Sequence, residues 1–177
     1  MGNNERFSPQ LVMRLEGFDS LPSLELPEGY TVRAARPGEE SFWVDIINDS
    51  FGHSENRSFN DLKKEPCFSY DRVFYVCYND IPVGTASSWH RKEWGEDVAY
   101  LHMVGVKKEF QGKKLGYYVS LKALLDMKER GYKACVLQTD DFREAAIKTY
   151  LRLGFDPYIT HENHPERWVR IRKNLNI

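Results

Sequence analysis

The chain has 177 residues, of which 41% are apolar and 14% aromatic, and this is enough for one domain with a sizeable core. The formal net charge of -1 excludes a strong general attraction to nucleic acid or to an anionic membrane. The three cysteines are widely spaced, which argues against a disulfide framework, and we find no secretory or transmembrane pattern. We therefore expect a cytoplasmic protein with free thiols.

The first part of the chain is predicted to be an arm that precedes the domain. Residues 1–29 contain several prolines near a turn-like end, and residues 7–18 favour a short helix that begins at Ser8 and Pro9. We expect the domain itself to occupy residues 30–177.

Within that domain, alternating apolar residues predict strands and apolar residues at helical spacing predict helices. The predicted strands cover residues 30–36, 71–80, 81–91, 97–106, 133–139, 158–162 and 167–175. The predicted helices cover residues 37–52, 59–65, 114–131 and 140–155, the last with Asp141 as its N-cap and Glu144 as the capping-box partner. This order predicts a mixed α/β domain.

The stretch GVKKEFQGKKLG, residues 105–116, has an unusual charge pattern for the start of a helix. The amide end of a helix already carries partial positive charge, so nearby lysines are unfavourable unless an anion binds there. Free amides at the helix start, together with the backbone freedom of Gly112 and Gly116, predict an anion site. The alternative is a solvated lysine cluster. The lysines are Lys107, Lys108, Lys113 and Lys114.

Two common nucleotide-binding patterns do not fit this stretch. A P-loop, G-x-x-x-x-G-K-S/T, would need glycine where Lys107 stands and a hydroxyl residue where Lys114 stands. The dinucleotide pattern G-x-G-x-x-G is absent as well. The sequence therefore does not favour nucleoside triphosphate chemistry.

Two motifs resemble those of the GCN5-related N-acetyltransferases. Residues 111–116 are similar to the family's pyrophosphate loop, Q/R-x-x-G-x-G/A, although Lys114 replaces the middle glycine. Residues 143–155 are similar to N-x-x-A-I-x-x-Y-x-x-x-G-F, with Arg143 in place of asparagine. The matching residues of this second motif are Ala146, Ile147, Tyr150, Gly154 and Phe155.

The resemblance implies a central, mostly antiparallel sheet of about seven strands that splays at the acetyl-CoA site, flanked by about four helices. It also implies direct transfer of the acetyl group of acetyl-CoA to a primary amine. The amide near Val104 would stabilise the oxyanion. The implied acetyl-CoA-binding residues are Met103, Val104, Gly105, Val106, Gln111, Gly112, Lys113, Lys114, Leu115, Gly116, Tyr117, Thr139, Arg143, Ile147 and Tyr150.

Two residues are predicted to move protons. The resemblance implies that Tyr150 protonates the leaving thiolate, while the alternative for a Tyr on an apolar stripe is a core residue. His102 lies on the strand nearest the acetyl group and is a candidate general base, with a structural histidine as the alternative. Glu96 and Asp97 are further candidates for the base, with ordinary turn residues as the alternative.

The acceptor predicted from the resemblance is an amine on a small molecule or a peptide. A homodimer is compatible with the resemblance, and no nucleic-acid, membrane or metal partner is expected. The loop His161 to His164 lacks the helical spacing of a zinc site and is expected to border the acceptor site together with residues 51–66. The alternative function is a non-catalytic acyl-CoA-binding or sensor domain on the same fold.

Overall fold

A central sheet with helices on both faces forms the body of the protein, which we describe from a computed structural model for residues 9–52 and 57–177. The strands are β1 (Leu11–Glu16), β2 (Tyr30–Ala34), β3 (Val73–Tyr78), β4 (Ile81–His90), β5 (Val98–Val106), β6 (Ala134–Thr139) and β7 (Asp156–Tyr158). The helices are α1 (Glu40–Phe51), α2 (Phe59–Lys63), α3 (Leu115–Glu129), α4 (Glu144–Arg152) and α5 (His164–Leu175).

The seven strands follow the order β2-β3-β4-β5-β6-β1-β7. Every pair is antiparallel except β5 with β6, which are parallel. This parallel pair is joined through α3, the crossover that a parallel connection requires. The predicted mixed α/β fold with a mostly antiparallel sheet is confirmed.

The core lies on both faces of the sheet. On one face, buried residues of α3, α4 and α5, including Leu124, Ile147 and Trp168, pack together with strand residues. On the other face, Trp43 and Ile46 of α1 pack near α2 and the central strands. The helices therefore hold the middle of the sheet between two apolar layers. Within the two described ranges, no helix is long and apolar enough to cross a membrane.

The predicted helix over residues 7–18 is wrong in the described part. Leu11–Glu16 form a strand that pairs with β6 on one side and β7 on the other. A strand in this position has both faces covered, so its near-continuous apolar run, LVMRL, does not show the alternation that would have indicated a strand. Residues 11–16 of the expected arm are therefore part of the central sheet.

The end of the domain also differs from the prediction. Residues 167–175 were expected to be a strand, but they lie within α5. Trp168, Ile171 and Leu175 are buried at spacings of three and four, which is the period of a helix. The last strand is β7, which ends at Tyr158, where the predicted strand was to begin.

The start of α4 uses a different residue from the predicted cap. The N-cap residue is Arg143, which makes no side-chain cap hydrogen bond. Asp141 instead accepts from the buried guanidinium of Arg167, with Nη2 at 2.6 Å from Oδ1. The predicted capping box at Asp141 is therefore wrong, because a long-range ion pair uses its carboxylate.

Candidate functional site

A split between β5 and β6 creates the main cavity of the protein. The two strands pair from Val98 with Ala134 to Tyr100 with Val136. Beyond this point β5 stays with β4 and β6 stays with β1, so the sheet opens into a V. At its apex the Tyr100 hydroxyl donates to Oε1 of Gln138 at 3.0 Å. The cavity in the opening has a volume of about 1210 Å³.

A β-bulge shapes the β5 wall of this cavity. Thr85 pairs with Gly105 and Ser87 pairs with His102, so β5 has one residue more than β4 in this interval. Met103 within the bulge has φ of 52°, a left-handed conformation that is unfavourable for a residue with a side chain. Bulges of this kind redirect a strand locally. Residues 103–106 consequently line the cavity just where the sheet has opened.

A close packing contact holds α1 against the same part of β5. A Cβ added at Gly105 would lie 3.2 Å from Cδ1 of Ile47 and 3.2 Å from Cβ of Ser50, both on α1. Asp49, next to Ser50, accepts from the backbone amide of Lys108 at 2.6 Å. Helix α1 therefore supports both the bulged strand and the turn that follows it.

The lysine-rich turn has the backbone geometry of an anion site. Gly112 and Lys114 are left-handed, with φ of 80° and 60°, and α3 begins at Leu115. The amides of residues 112–116 find no hydrogen-bond acceptor among the described residues. A left-handed residue just before a helix leaves neighbouring amides exposed together, and such an arrangement binds anions.

The lysines of this turn do not all face the cavity. Lys114 lines it, as do the neighbouring backbone positions Gln111, Gly112 and Leu115. The ammonium of Lys113 lies 5.0 Å from the centre of the Phe110 ring, and Lys113 is not among the lining residues. The two adjacent lysines therefore have different positions relative to the cavity.

Tyr150 projects from α4 into the same cavity. It is 7% exposed, and its hydroxyl has no hydrogen-bond partner in the part of the chain that the structure describes. Burial raises the pKa of the phenol above its ordinary value, so the hydroxyl is protonated at neutral pH. The geometry thus leaves a proton donor directed at the cavity.

Arg143 is the N-cap residue of α4, at the position where the similar family motif has asparagine. Its Nε donates to Oδ2 of Asp140 at 3.1 Å, and its guanidinium lies 3.9 Å from the centre of the Phe51 ring. Asp140 also accepts from Gln10 at 3.0 Å. These contacts fix a cationic side chain on the cavity wall.

His102 lines the cavity from β5. The rings of Trp89 and Tyr100 are centred 5.8 and 5.4 Å from its own ring. Burial, and then the nearby cations Arg91 and Arg57, lower the pKa of the imidazole to about 3. His102 is therefore neutral at physiological pH, and it is a weak proton acceptor, because a general base works best with a pKa near the working pH.

The structure brings most of the predicted site residues to one cavity. The exceptions are Lys113, Ile147, which is fully buried in the core, and the exposed base candidates Glu96 and Asp97, which line neither cavity. The predicted residues that line the cavity are His102, Met103, Val104, Gly105, Val106, Gln111, Gly112, Lys114, Leu115, Gly116, Tyr117, Thr139, Arg143 and Tyr150.

The opposite wall contains residues that the motifs did not indicate. Arg57 and Arg91 line the main cavity and also a smaller cavity of about 200 Å³. Asp61 and Glu65, on and just after α2, line the smaller one. These residues lie in or near the predicted acceptor region, residues 51–66, but no local pattern distinguishes them from ordinary surface charges.

The histidines of the loop before α5 do not take part in either cavity. His164 is buried at the start of the helix, and His161 accepts from the Asn163 amide at 3.2 Å. The expectation that this loop borders the acceptor site is not matched by the lining of the cavities. Among the described residues, no group of three metal-binding side chains is present.

One family model and two curated relatives each match most of the chain. The model of the acetyltransferase (GNAT) family matches residues 41–155. The mycothiol acetyltransferase of Streptomyces scabiei is 31% identical over 158 residues, which are 85% of this chain and 50% of that protein. That of Streptomyces coelicolor is 29% identical over 160 residues, 86% of this chain and 50% of that protein. This chain thus spans about half the length of these relatives.

Solved structures share the fold. A GCN5-related N-acetyltransferase from Sphaerobacter thermophilus has a TM-score of 0.70 at 21% identity, over 84% of this chain and 48% of that chain. Another from Kribbella flavida has a TM-score of 0.61 at 22% identity, over 86% of this chain and 56% of that chain. At these identities the likeness concerns the fold.

Proposed function

The chain belongs to the acetyltransferase (GNAT) family, and we propose that it transfers the acetyl group of acetyl-CoA directly to a primary amine. The observation that carries this proposal is the coincidence of three features in one cavity. The sheet is split, the amides of residues 112–116 have no acceptor within the described chain, and Tyr150 lines the same cavity. We also keep the cytoplasmic location as a prediction.

In this proposal the pyrophosphate of acetyl-CoA binds to the amides of the turn over residues 112–116, with Lys114 adding positive charge. The pantetheine arm follows the opened edge of β5 along residues 103–106 and passes Thr139 on β6. Arg143 lies on the wall where the family motif has asparagine, and its donors are held toward the cavity by Asp140.

The replacement of the motif's middle glycine by Lys114 does not abolish this turn. Lys114 has φ of 60°, a conformation that glycine adopts at lower energy. The cost for a residue with a side chain is about 1 kcal/mol. A phosphate contact would offset such a cost, so the proposal includes a direct role for the Lys114 charge.

The chemical step follows from the groups around the cavity. The amine nitrogen attacks the thioester carbonyl carbon, a C–N bond forms, and the oxyanion is stabilised by the amide near Val104. The C–S bond then breaks, and the Tyr150 hydroxyl gives its proton to the leaving sulfur. The phenolate regains a proton from the nitrogen of the product. His102 is the sequence-based candidate for the first deprotonation, but with its pKa lowered to about 3 it is a weak acceptor for that proton.

Binding and turnover should be measured separately, because a non-catalytic acyl-CoA sensor would show the first without the second. We would titrate the protein with acetyl-CoA, CoA and ATP in a calorimeter and follow thiol release with a panel of amines. We expect acetyl-CoA to bind and ATP not to compete with it. Lack of acetyl-CoA binding would contradict the proposal, and binding without acetylation of any amine would favour the sensor.

The charge reversal Lys114→Glu tests the anion site, and Lys113→Glu is its matched control. Both variants change the net charge by the same amount on adjacent residues. Lys114 lines the cavity, whereas Lys113 lies over Phe110. We therefore expect the Kd for acetyl-CoA to be roughly tenfold higher in Lys114→Glu and to change less in Lys113→Glu. Equal effects would mean that the turn acts through general charge alone.

A further inference from the structure

A second cavity, next to the one just described, has features of a binding site for the acceptor. Its volume is about 200 Å³, and it shares Arg57, Arg91, His102 and Met103 with the main cavity. Ligand pockets usually exceed about 300 Å³, so this one suits a small molecule or the end of a larger one. A molecule within it would reach the split sheet through the shared residues.

Arg91 presents a cation to both cavities. Its guanidinium carbon lies 4.3 Å from the centre of the Tyr100 ring, a cation–π contact that holds the group at the cavity wall. The side chain has no hydrogen bond and no ion pair within 4.0 Å in the described ranges. A half-buried guanidinium with unused donors is suited to a carboxylate or a phosphate, which it binds with two parallel hydrogen bonds.

Glu65 presents a fixed anion to the smaller cavity. Its Oε2 accepts from the indole nitrogen of Trp89 at 2.6 Å, and Trp89 is fully buried in the sheet. The other oxygen, Oε1, makes no hydrogen bond with the described residues and lies 3.8 Å from Nε2 of His102. One oxygen therefore holds the carboxylate in place while the second remains available.

The two opposite charges do not form an ion pair with each other. Arg91 and Glu65 line the same small cavity, yet no ion pair within 4.0 Å joins them. A cavity with a fixed cation and a fixed anion favours a ligand that carries both charges, since each group regains in the complex the partner that it otherwise finds in water.

Resting on the acetyl transfer proposed above, we propose that the acceptor is a small amine that also carries an anionic group, a carboxylate or a phosphate. The anion binds Arg91 and the ammonium binds Glu65. Glu65 then accepts one proton from the ammonium, and the neutral nitrogen forms the C–N bond before the C–S bond breaks. The sulfur takes its proton from Tyr150, which recovers it from the nitrogen of the new amide.

Matched pairs of small amines test this assignment and separate the two kinds of anion. L-Alanine is compared with L-alaninamide for a carboxylate, and O-phosphoethanolamine with ethanolamine for a phosphate. For each pair, kcat/KM from thiol release is measured at saturating acetyl-CoA, and binding to the CoA-loaded protein is measured by calorimetry. We expect the anionic member of at least one pair to be preferred about tenfold or more, as a charge-assisted bidentate contact would give.

Substitution at Arg91 isolates the contribution of its charge. In Arg91→Gln the preference for the anionic member should disappear, and Arg91→Lys should retain part of it. Lys92→Gln is the matched control, because it removes the same charge from an exposed neighbour that lines neither cavity. The ratio within each pair, compared between proteins, cancels the different intrinsic reactivities of the two amines.

The role of Glu65 is tested with Glu65→Gln, which keeps the shape of the side chain. We expect kcat to fall at least tenfold while the preference for the anionic member is retained. The zwitterion proposal would be overturned by equal use of both members, by an unchanged preference in Arg91→Gln, or by binding of none of the four amines. In each of these cases, intact acetyl-CoA binding with acetylation of some other amine would leave the proposed function standing.

Discussion

Tyr150 differs from an ordinary core tyrosine in one respect, its hydroxyl. The ring packs at 6.1 Å from Phe155, while the hydroxyl has no partner among the described residues and faces the cavity. Removing this oxygen should therefore leave the fold and the acetyl-CoA site intact. In Tyr150→Phe we expect kcat to fall about 10²-fold with an unchanged Kd for acetyl-CoA, measured by thiol release and calorimetry. Unchanged turnover would leave the residue with a packing role.

His102, which lines the cavity, should also make the free energy of unfolding depend on pH. The pKa of its imidazole is lowered to about 3 in the fold, against about 6.5 in the unfolded chain. Between these values the unfolded chain binds more protons, so the free energy of unfolding should decrease as the pH is lowered from 6.5 toward 3. One such group contributes at most about 1.4 kcal/mol per pH unit.

The variant His102→Gln should weaken this pH dependence. We expect urea unfolding at pH 7 and pH 5 to show a smaller loss of stability for the variant than for the wild type. Both proteins keep the same carboxylates, so the difference between the two slopes isolates His102. A parallel pH dependence in the two proteins would contradict the lowered pKa.

The sequence indicated the residues of the main cavity that belong to local motifs, but not the charged residues of the smaller cavity. Gln111, Gly116 and Tyr150 belong to local motifs whose spacing is set by a turn or by one helix, and such motifs are visible along the chain. Arg91 and Glu65 come together because Glu65, just after α2, contacts Trp89 of β4, and this is a long-range contact. Nothing in the neighbouring residues distinguishes them from charges on a solvated surface.

Helix α1 and strand β5 are in close contact, and this contact depends on the missing side chain of Gly105. A Cβ there would lie 3.2 Å from side-chain atoms of Ile47 and Ser50, so these side chains or α1 itself would have to shift by a few tenths of an ångström. We expect Gly105→Ala to destabilise the protein by about 1–3 kcal/mol and to weaken acetyl-CoA binding, because the bulged strand moves with it. Urea unfolding and calorimetry measure the two effects.

Gly116→Ala is the control for the expected effect of Gly105→Ala on stability. A Cβ at this position would lie 3.8 Å from Val106, which is ordinary contact, and the residue is in the first turn of α3. Alanine there should leave the free energy of unfolding unchanged or raise it by up to about 1 kcal/mol. If both substitutions had the same effect, the close approach of α1 would not explain the glycine at position 105.

Two elements show why the fold was only partly predictable. In α5 the buried residues have helical spacing, but the stretch VRIR, residues 169–172, alternates apolar and charged side chains, which is also typical of a strand. In β1 the four apolar residues of LVMRL are all buried because apolar layers cover both faces of the strand, which lies inside the sheet. That position within the sheet depends on the strand order, which no segment of the sequence specifies by itself.

On the scale of the whole molecule, Arg167 joins distant parts of the chain. It is 2% exposed, forms a two-oxygen ion pair with Asp141, and donates to the Pro9 carbonyl at 2.7 Å and to Oδ1 of Asn163 at 3.0 Å. The beginning of the described chain, the turn after β6 and the start of α5 therefore meet at one guanidinium. That turn also carries Asp140 and Arg143, which line the main cavity.

Removal of this guanidinium should affect both stability and the site. In Arg167→Met the carboxylate of Asp141, whose side chain is 15% exposed, loses its partner, and we expect a loss of about 3 kcal/mol in the free energy of unfolding, the low end for a fully buried pair. Since the turn before α4 is anchored by this ion pair, Kd for acetyl-CoA should also rise. Arg172→Met, an exposed substitution on the same helix, should change neither quantity appreciably.

The double variant Asp141→Asn with Arg167→Met should recover part of the lost stability, because it removes the unpaired charge. If the double variant were less stable by the sum of the two single effects, the ion pair would not be the origin of the loss.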